Sequence, residues 1–379
     1  MLSEPTYISA RMVASTIEEH FAAHLSSARL VGAKNLADNP KALIIEAIID
    51  VAFWASLRKE EGRSPKISIS LLPPEQSNSP LIFGKRLRLT PHNLTKLAPA
   101  VESPGIHLGV WYDGEELYVW GTTLAIPGIC MVLEVIEPGL LVVKHSRTDG
   151  FGKFVNIAVL KGDEIKVIDE QNTGLLHCPG LISSLANMPS FLLEESVNII
   201  VELAAAMRSH GRGGLVLIVP SYTDEWMRSI VQPMAYPVTP PFEGVANLMR
   251  QDADERLRSG WREALKRAID TVGGFTAVDG ATIINREYEV MAFGAKIARA
   301  EMSSPVEEII TTEPVIDARP KNVHPSKSGG TRHLAAAQFV YDQRDAMALV
   351  ASQDGHFTVF AWAPDMNMVH AHRIDTLLL

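Results

Sequence analysis

Cysteine is almost absent from this chain: of its 379 residues, two are cysteines, Cys130 and Cys178. That excludes a disulfide framework, and the pair has no metal-ligand spacing, so two reduced, buried thiols are expected. A long hydrophobic run is also missing. The longest apolar stretch, ALIIEAIIDVAFWASL, is interrupted by Glu46 and Asp50, too short and too charged to span a bilayer. It reads as a core helix of a soluble domain. The first residues, MLSEPTYISARMV, carry acidic and polar groups where the apolar core of a signal peptide would lie. An excess of positive charge is lacking too. The net charge of −9 argues against a nucleic-acid polymer or an anionic membrane as partner, while leaving room for a local basic pocket around a nucleotide. No internal repeat, low-complexity tract or Walker A spacing is present; Asp149 to Lys153, DGFGK, has the look of a phosphate loop without that spacing and reads as a turn. These absences leave a soluble, cytoplasmic protein of ordinary composition, long enough for two domains.

What is present divides into two halves. Residues 8–31 and about 40–58 have helical spacing, the second helix with Asp38 or Asn39 as its candidate N-cap. Residues 64–72 alternate at period two, and 73–80 read as a loop. Trp111 and Tyr112, then Asp113-Gly114, then Tyr118 and Trp120 form a hairpin pattern. Their alternation favours cross-strand packing over a ligand-stacking face. Strands follow at 129–136, 139–145, 154–160 and 164–168. The first half is thus an α+β, strand-rich domain, a small meander or sandwich packed with the N-terminal helices, over 1–185.

Beyond 190 the pattern is that of an α/β fold with a mixed sheet flanked by helices. A helix is expected from Ser190 to His210, then a doubly buried strand at 213–220. A Pro-rich loop at 233–244, an amphipathic helix at 246–271 and a strand-turn-strand at 275–295 come next. Residues 306–330 read as mostly irregular. A helix at 331–339 and closing strands at 346–352 and 357–362 complete the domain. His370 and His372 are spaced like neighbours on one face of a strand, with no third metal ligand in evidence.

Two strings in this half carry chemistry. In AVDGATIINREYEVMAFGAKI, Asp279-Gly280-Ala281 places a carboxylate at the turn into a β-branched run. In SGGTRHLAAAQFVYD, Gly329 and Gly330 lead into Thr331-Arg332-His333 at a helix start. A carboxylate suits a divalent ion, Mg²⁺ or Mn²⁺, and a glycine turn at a helix N-terminus with Thr and Arg suits phosphate. Each residue also has a plainer reading: Asp279 as a turn cap, Gly280 and Ala281 as a bend in a strand, Thr331 as an N-cap, Arg332 in a surface ion pair, His333 as a satisfied core histidine.

The order of these features resembles the diadenylate cyclase (DAC) domain family over roughly residues 195–365. The shared order is a helix before a buried strand, a helix before Asp-Gly-Ala, a strand ending in Gly294-Ala295, then Gly-Thr-Arg-His-x-Ala-Ala from Gly330 to Ala336, and two last strands around an acidic Gly turn. The resemblance implies condensation of two ATP molecules into cyclic di-AMP and pyrophosphate across a dimer, each protomer supplying one nucleotide. It implies Asp279 as the metal carboxylate, with Asp279, Arg332 and His333 catalytic, and Gly280, Ala281, Gly330, Thr331 and Arg332 holding the nucleotide. The chain departs from the family at Leu334, where the family has arginine, at Gln353-Asp354, where it usually has a glutamate pair, and in a longer segment between Asp279 and Arg332. The strand-rich first half resembles in arrangement the sensor group DACNV, which implies an unknown small ligand or protein partner there. The alternative reading is a protein of the same fold that senses ATP or a cyclic dinucleotide without cyclising; use of another nucleotide also stays open.

Overall fold

The computed structural model describes residues 5–146, 154–169, 199–256 and 260–378. The chain divides into two compact units, Met1–Ile168 and Asp169–Leu378. The DGFGK segment, Cys178, the Ser190 helix start and the expected boundary at 185–190 lie outside the described residues.

The first unit opens with two helices, α1 (Ile8–Leu30) and α2 (Ala42–Ser56). Val13, Ile17, Phe21 and Leu25 recur at helical spacing and are all buried. Lys41, not Asp38 or Asn39, caps α2, and it makes no side-chain cap bond. Glu18 of α1 takes that role, its Oε2 accepting from the Ala42 N–H at 2.8 Å. Strands β1 (Ile67–Leu71), β2 (Pro80–Arg88), β3 (His107–Tyr112), β4 (Leu117–Thr123), β5 (Met131–Glu137), β6 (Leu140–Ser146), β7 (Phe154–Lys161) and β8 (Glu164–Val167) follow, with α3 (Pro91–Leu97) between β2 and β3.

They form one eight-stranded sheet, ordered β2-β4-β3-β1-β5-β6-β7-β8. The last four are a meander; a second sheet facing the first, as in a sandwich, is not formed among the described residues. Only the β1–β3 pair among these neighbours is parallel. One face, with Ile67, Ile69, Leu133 and Val143, packs on the helices. The other face carries Ser68, Glu134 and Lys144, whose ammonium lies 2.5 Å from Glu134. The Asp113 turn forms as expected, its carboxylate accepting from the Glu115 and Glu116 N–H groups. Trp120 is buried and donates its indole N–H to the Leu72 carbonyl at 2.8 Å, so the hairpin aromatics pack. Cys130 is a free, buried thiol whose pKa burial raises.

The second unit contains α4 (Ile199–Ser209), β9 (Gly214–Val219), β10 (Tyr236–Phe242), α5 (Gly244–Met249), α6 (Ala253–Arg256), α7 (Trp261–Thr276), β11 (Ala281–Asn285), β12 (Val290–Ala295), β13 (Ile309–Thr312), β14 (Lys321–Val323), α8 (Thr331–Asp342), β15 (Met347–Ala351), β16 (Phe357–Ala363) and β17 (Met368–Arg373). Its nine strands are ordered β10-β12-β11-β9-β15-β16-β17-β13-β14. Alternate side chains of the central strands point to opposite faces. Val216, Ile218, Leu349 and Val359 meet α4 and α7, while Leu215, Leu217, Val350 and Phe360 meet α8. Every residue of β9 is therefore buried. This is an α/β unit in three layers.

Four expectations are corrected. The Pro-rich 233–244 segment includes β10, at the sheet edge, where proline's missing N–H costs no ladder bond. The amphipathic stretch 246–271 is broken into α5, α6 and α7, and Gly260, at φ 99°, precedes the last. Residues 306–330 are less irregular than expected, since β13 and β14 pair and join the sheet beside β17. The closing strands are followed by β17, and on it His370 and His372 both meet the Thr312 hydroxyl, at 3.0 and 2.8 Å. No helix among the described residues is long and apolar enough to cross a membrane.

Candidate functional site

Strand β9 fixes the centre of the site. It starts at Gly214, which pairs with Ala351 at the end of β15. Just before it, Gly213 adopts φ 71° and is buried. A Cβ there would lie 3.0 Å from Arg332 Nη1, so the Arg332 guanidinium rests against the backbone where β9 begins. Arg332 is half-buried, and its side chain makes no hydrogen bond or ion pair with a described residue. It does act at longer range, since its charge contributes to lowering the pKa of Asp279. The two strings singled out in the sequence thus come within electrostatic reach of each other.

Asp279 sits in the turn between α7 and β11. Its side chain is 86% exposed, and Oδ2 accepts from Lys296 Nζ at 2.6 Å. That hydrogen bond and charge are the main causes that hold the carboxyl below its ordinary range, Arg332 adding less. The turn is set by two glycines. Gly280 has φ 123°, and a Cβ on it would stand 2.4 Å from the Gly294 carbonyl carbon. β11 and β12 therefore approach backbone to backbone, with Ala281 opposite Ala295 and a register shift beyond. The Ala281 side chain enters the core, which leaves its backbone as the part that could meet a nucleotide. Next to Gly294, the rings of Tyr236, Phe293 and Phe275 stack in a file, with centroids 4.9 and 4.8 Å apart.

Gly330 stands at the N-cap of α8 without a side-chain cap bond, and Thr331 opens the helix, exposed. The first N–H groups of the helix thus have no side-chain acceptor from the cap, the condition for receiving an anion. His333 faces the other way. It is buried on the sheet side of α8, edge-on to Phe360 at 5.9 Å, with Thr358 Oγ1 3.4 Å from Nε2. Burial, with Arg373 and His356 nearby, lowers its pKa to about 4. Its side chain is thus packed in the core, the placement that the plainer reading expects. Leu334 is 39% exposed and belongs to no hydrophobic cluster of described residues, so packing does not replace the arginine's charge there.

His333 yields a pH prediction. Its folded pKa lies below the ordinary 6.5, so as pH falls from 6.5 toward 4 the unfolded chain takes up a proton that the folded chain refuses. Stability from this group is complete above 6.5 and is lost on the way down to about 4. His333→Gln will flatten that part of the acid limb. The check is the denaturant midpoint of both proteins at pH 7 and 4.5; equal losses in the two would refute the assignment.

Sequence reasoning missed several neighbours. Lys296 follows directly on β12, and Arg212 directly precedes Gly213 and β9. His210 bonds Thr276 Oγ1 at 3.0 Å, and burial, then Arg212 and Arg332, lower its pKa. Gln353 donates weakly to the Arg212 carbonyl, at 3.4 Å. The available signal was positional: cations at the ends of buried strands. Among the described residues no group of three or more His, Cys, Asp or Glu could hold a metal. A lone carboxylate next to phosphate donors still fits Mg²⁺ or Mn²⁺, which commonly binds through one or two carboxylates, water and substrate phosphates.

No curated protein matches the chain. Residues 34–124, spanning α2 to β4 in the first unit, match the family described as the probable sensor domain DACNV.

Proposed function

We propose that the second unit is a diadenylate cyclase, joining two ATP molecules into cyclic di-AMP and two pyrophosphates, and that the first unit senses a small ligand or protein and regulates it. The observation that carries this is the Asp279–Lys296 pair with Arg332 in electrostatic reach of it, next to an uncapped helix start. In each half-reaction the 3′-oxygen of one nucleotide bonds to the α-phosphorus of the other, the bond to the β-phosphate bridge breaks with its electron pair leaving on pyrophosphate, and the 3′-hydroxyl proton passes to solvent water. Asp279 and, through it, a divalent ion would orient that hydroxyl; the ion supplies charge neutralisation on the phosphates. A carboxyl held below its ordinary pKa stays ionised, so Asp279 serves to bind and orient more than to carry the proton away. Lys296, displaced from Asp279, and Arg332 would each take phosphate oxygens, with Arg332 able to do so through two parallel N–H bonds. One chain presents one such site, so the reaction needs a second protomer facing it. The DACNV match supports the reading, because that group is a sensor module associated with diadenylate cyclases.

The exposed Leu334 supports a second reading, a nucleotide sensor that no longer cyclises. Incubation of the purified chain with ATP and Mg²⁺ or Mn²⁺, with mass spectrometry of the products, separates them. Cyclic di-AMP is the expected product. Bound ATP or cyclic dinucleotide without turnover would support the sensor instead.

A further inference from the structure

A cleft of about 480 Å³ opens at the far end of the same strands. Strand β9 runs from Gly214, near Arg332, to Ile218 in the cleft wall. β15 returns from Met347, paired with Ile218, to Ala351. Ile200, Ile218 and Met347 give the cleft an apolar floor. Its charged lining is Arg286, Arg344 and Asp345. Arg286 lies in the turn between β11 and β12, and its Nη2 donates to the Asp345 carbonyl at 2.7 Å. Arg344 lies over the Trp362 ring, 4.0 Å from its centroid. Neither guanidinium forms an ion pair with a described residue, and the Asp345 carboxylate accepts from the Tyr222 hydroxyl at 3.1 Å.

Those features point to one ligand chemistry. A guanidinium stacked on an indole leaves its N–H edge free for an oxyanion. A second guanidinium, held by a backbone carbonyl, faces the same space. An apolar floor beneath them suits a flat ring, and the volume is that of a small-molecule site. We propose that this cleft is a second site, apart from the Asp279 site, for a flat organic anion of mononucleotide size, its phosphate held by Arg286 and Arg344 and its ring on the apolar floor. Its place at the opposite ends of β9 and β15 makes it an effector site for the second unit. The proposal stands whether or not that unit cyclises ATP.

The probe is AMP, titrated calorimetrically into the full chain, with inorganic phosphate and adenosine as half-ligands. AMP is expected to bind more tightly than either half. Arg286→Ala and Arg344→Ala should each weaken it at least tenfold, and Arg332→Ala should leave an unchanged AMP site. Arg344→Lys, which keeps the charge and loses the planar fork, should also weaken it. Both arginines are exposed, so circular dichroism of these variants should match the parent. Unaltered AMP binding in the Arg286→Ala/Arg344→Ala double variant overturns the proposal. So does phosphate binding as tightly as AMP, AMP binding lost only with Arg332→Ala, or no AMP binding at all.

Discussion

With the second unit acting as the proposed cyclase, Asp279→Asn will cut cyclic di-AMP formation by on the order of a hundredfold or more while leaving the fold intact, the scale seen when one preorganised charge-stabilising group is removed from an active site. The side chain is 86% exposed, and its hydrogen bond among the described residues goes to Lys296. Little packing depends on it. The amide keeps the shape but loses the charge that would hold a divalent ion, and Lys296 loses its counter-ion. The measurement is product formed per minute at saturating ATP and Mg²⁺, together with a thermal melt. Parent-like turnover in a parent-like fold would remove Asp279 from the machinery. A collapsed melt would mean that the turn, and not the chemistry, had been changed.

Gly280→Ala should act in the opposite way, on the fold first. Its φ of 123° lies where side chains are strained, and the new Cβ would meet the Gly294 carbonyl carbon at 2.4 Å. That neighbour is backbone and cannot rotate aside. Strain of about 1–3 kcal/mol and overpacking of about 1–3 kcal/mol together suggest a loss of about 2–6 kcal/mol. For a unit of this size the corresponding fall in melting temperature is roughly 4–24 °C. A melt within two or so degrees of the parent would show that β11 and β12 can separate, and with them the backbone approach that positions Asp279.

Much of this architecture was legible because burial leaves a period in the sequence. The run at 213–220 is apolar at every step because β9 has helices on both faces. Asp113-Gly114 announced its hairpin through turn chemistry. The Pro-rich β10 was not legible, because proline marks loops and edge strands alike and only the sheet order distinguishes them. β13 and β14 are too short to show a period, and β17, which joins β13 to the sheet, lies far along the chain. At the candidate site, Asp279 and Arg332 were singled out by their motifs. Lys296 and Arg212 were not, since a single cation at a strand end belongs to no pattern. For His333, given as catalytic by resemblance with a core histidine as the alternative, the helix showed the burial: it shares the buried stripe of Ala336, Ala337 and Val340, at the spacing of one helical face. Arg332, one position earlier, turns away from that stripe.

The sheet of the first unit extends beyond the segment that the family match covers. The DACNV match supplies β2, β4, β3 and β1, one contiguous half of the eight-stranded order, and stops before β5. Excised at those limits, the segment would expose the whole edge of β1, along which Ile67, Ser68, Ile69 and Ser70 pair with β5. It would also lose α1 from the apolar face that α2 covers alongside it. What sequence comparison recognises as a module is therefore smaller than what can stand as a folded body. The β5–β8 meander, which the match does not reach, completes the sheet.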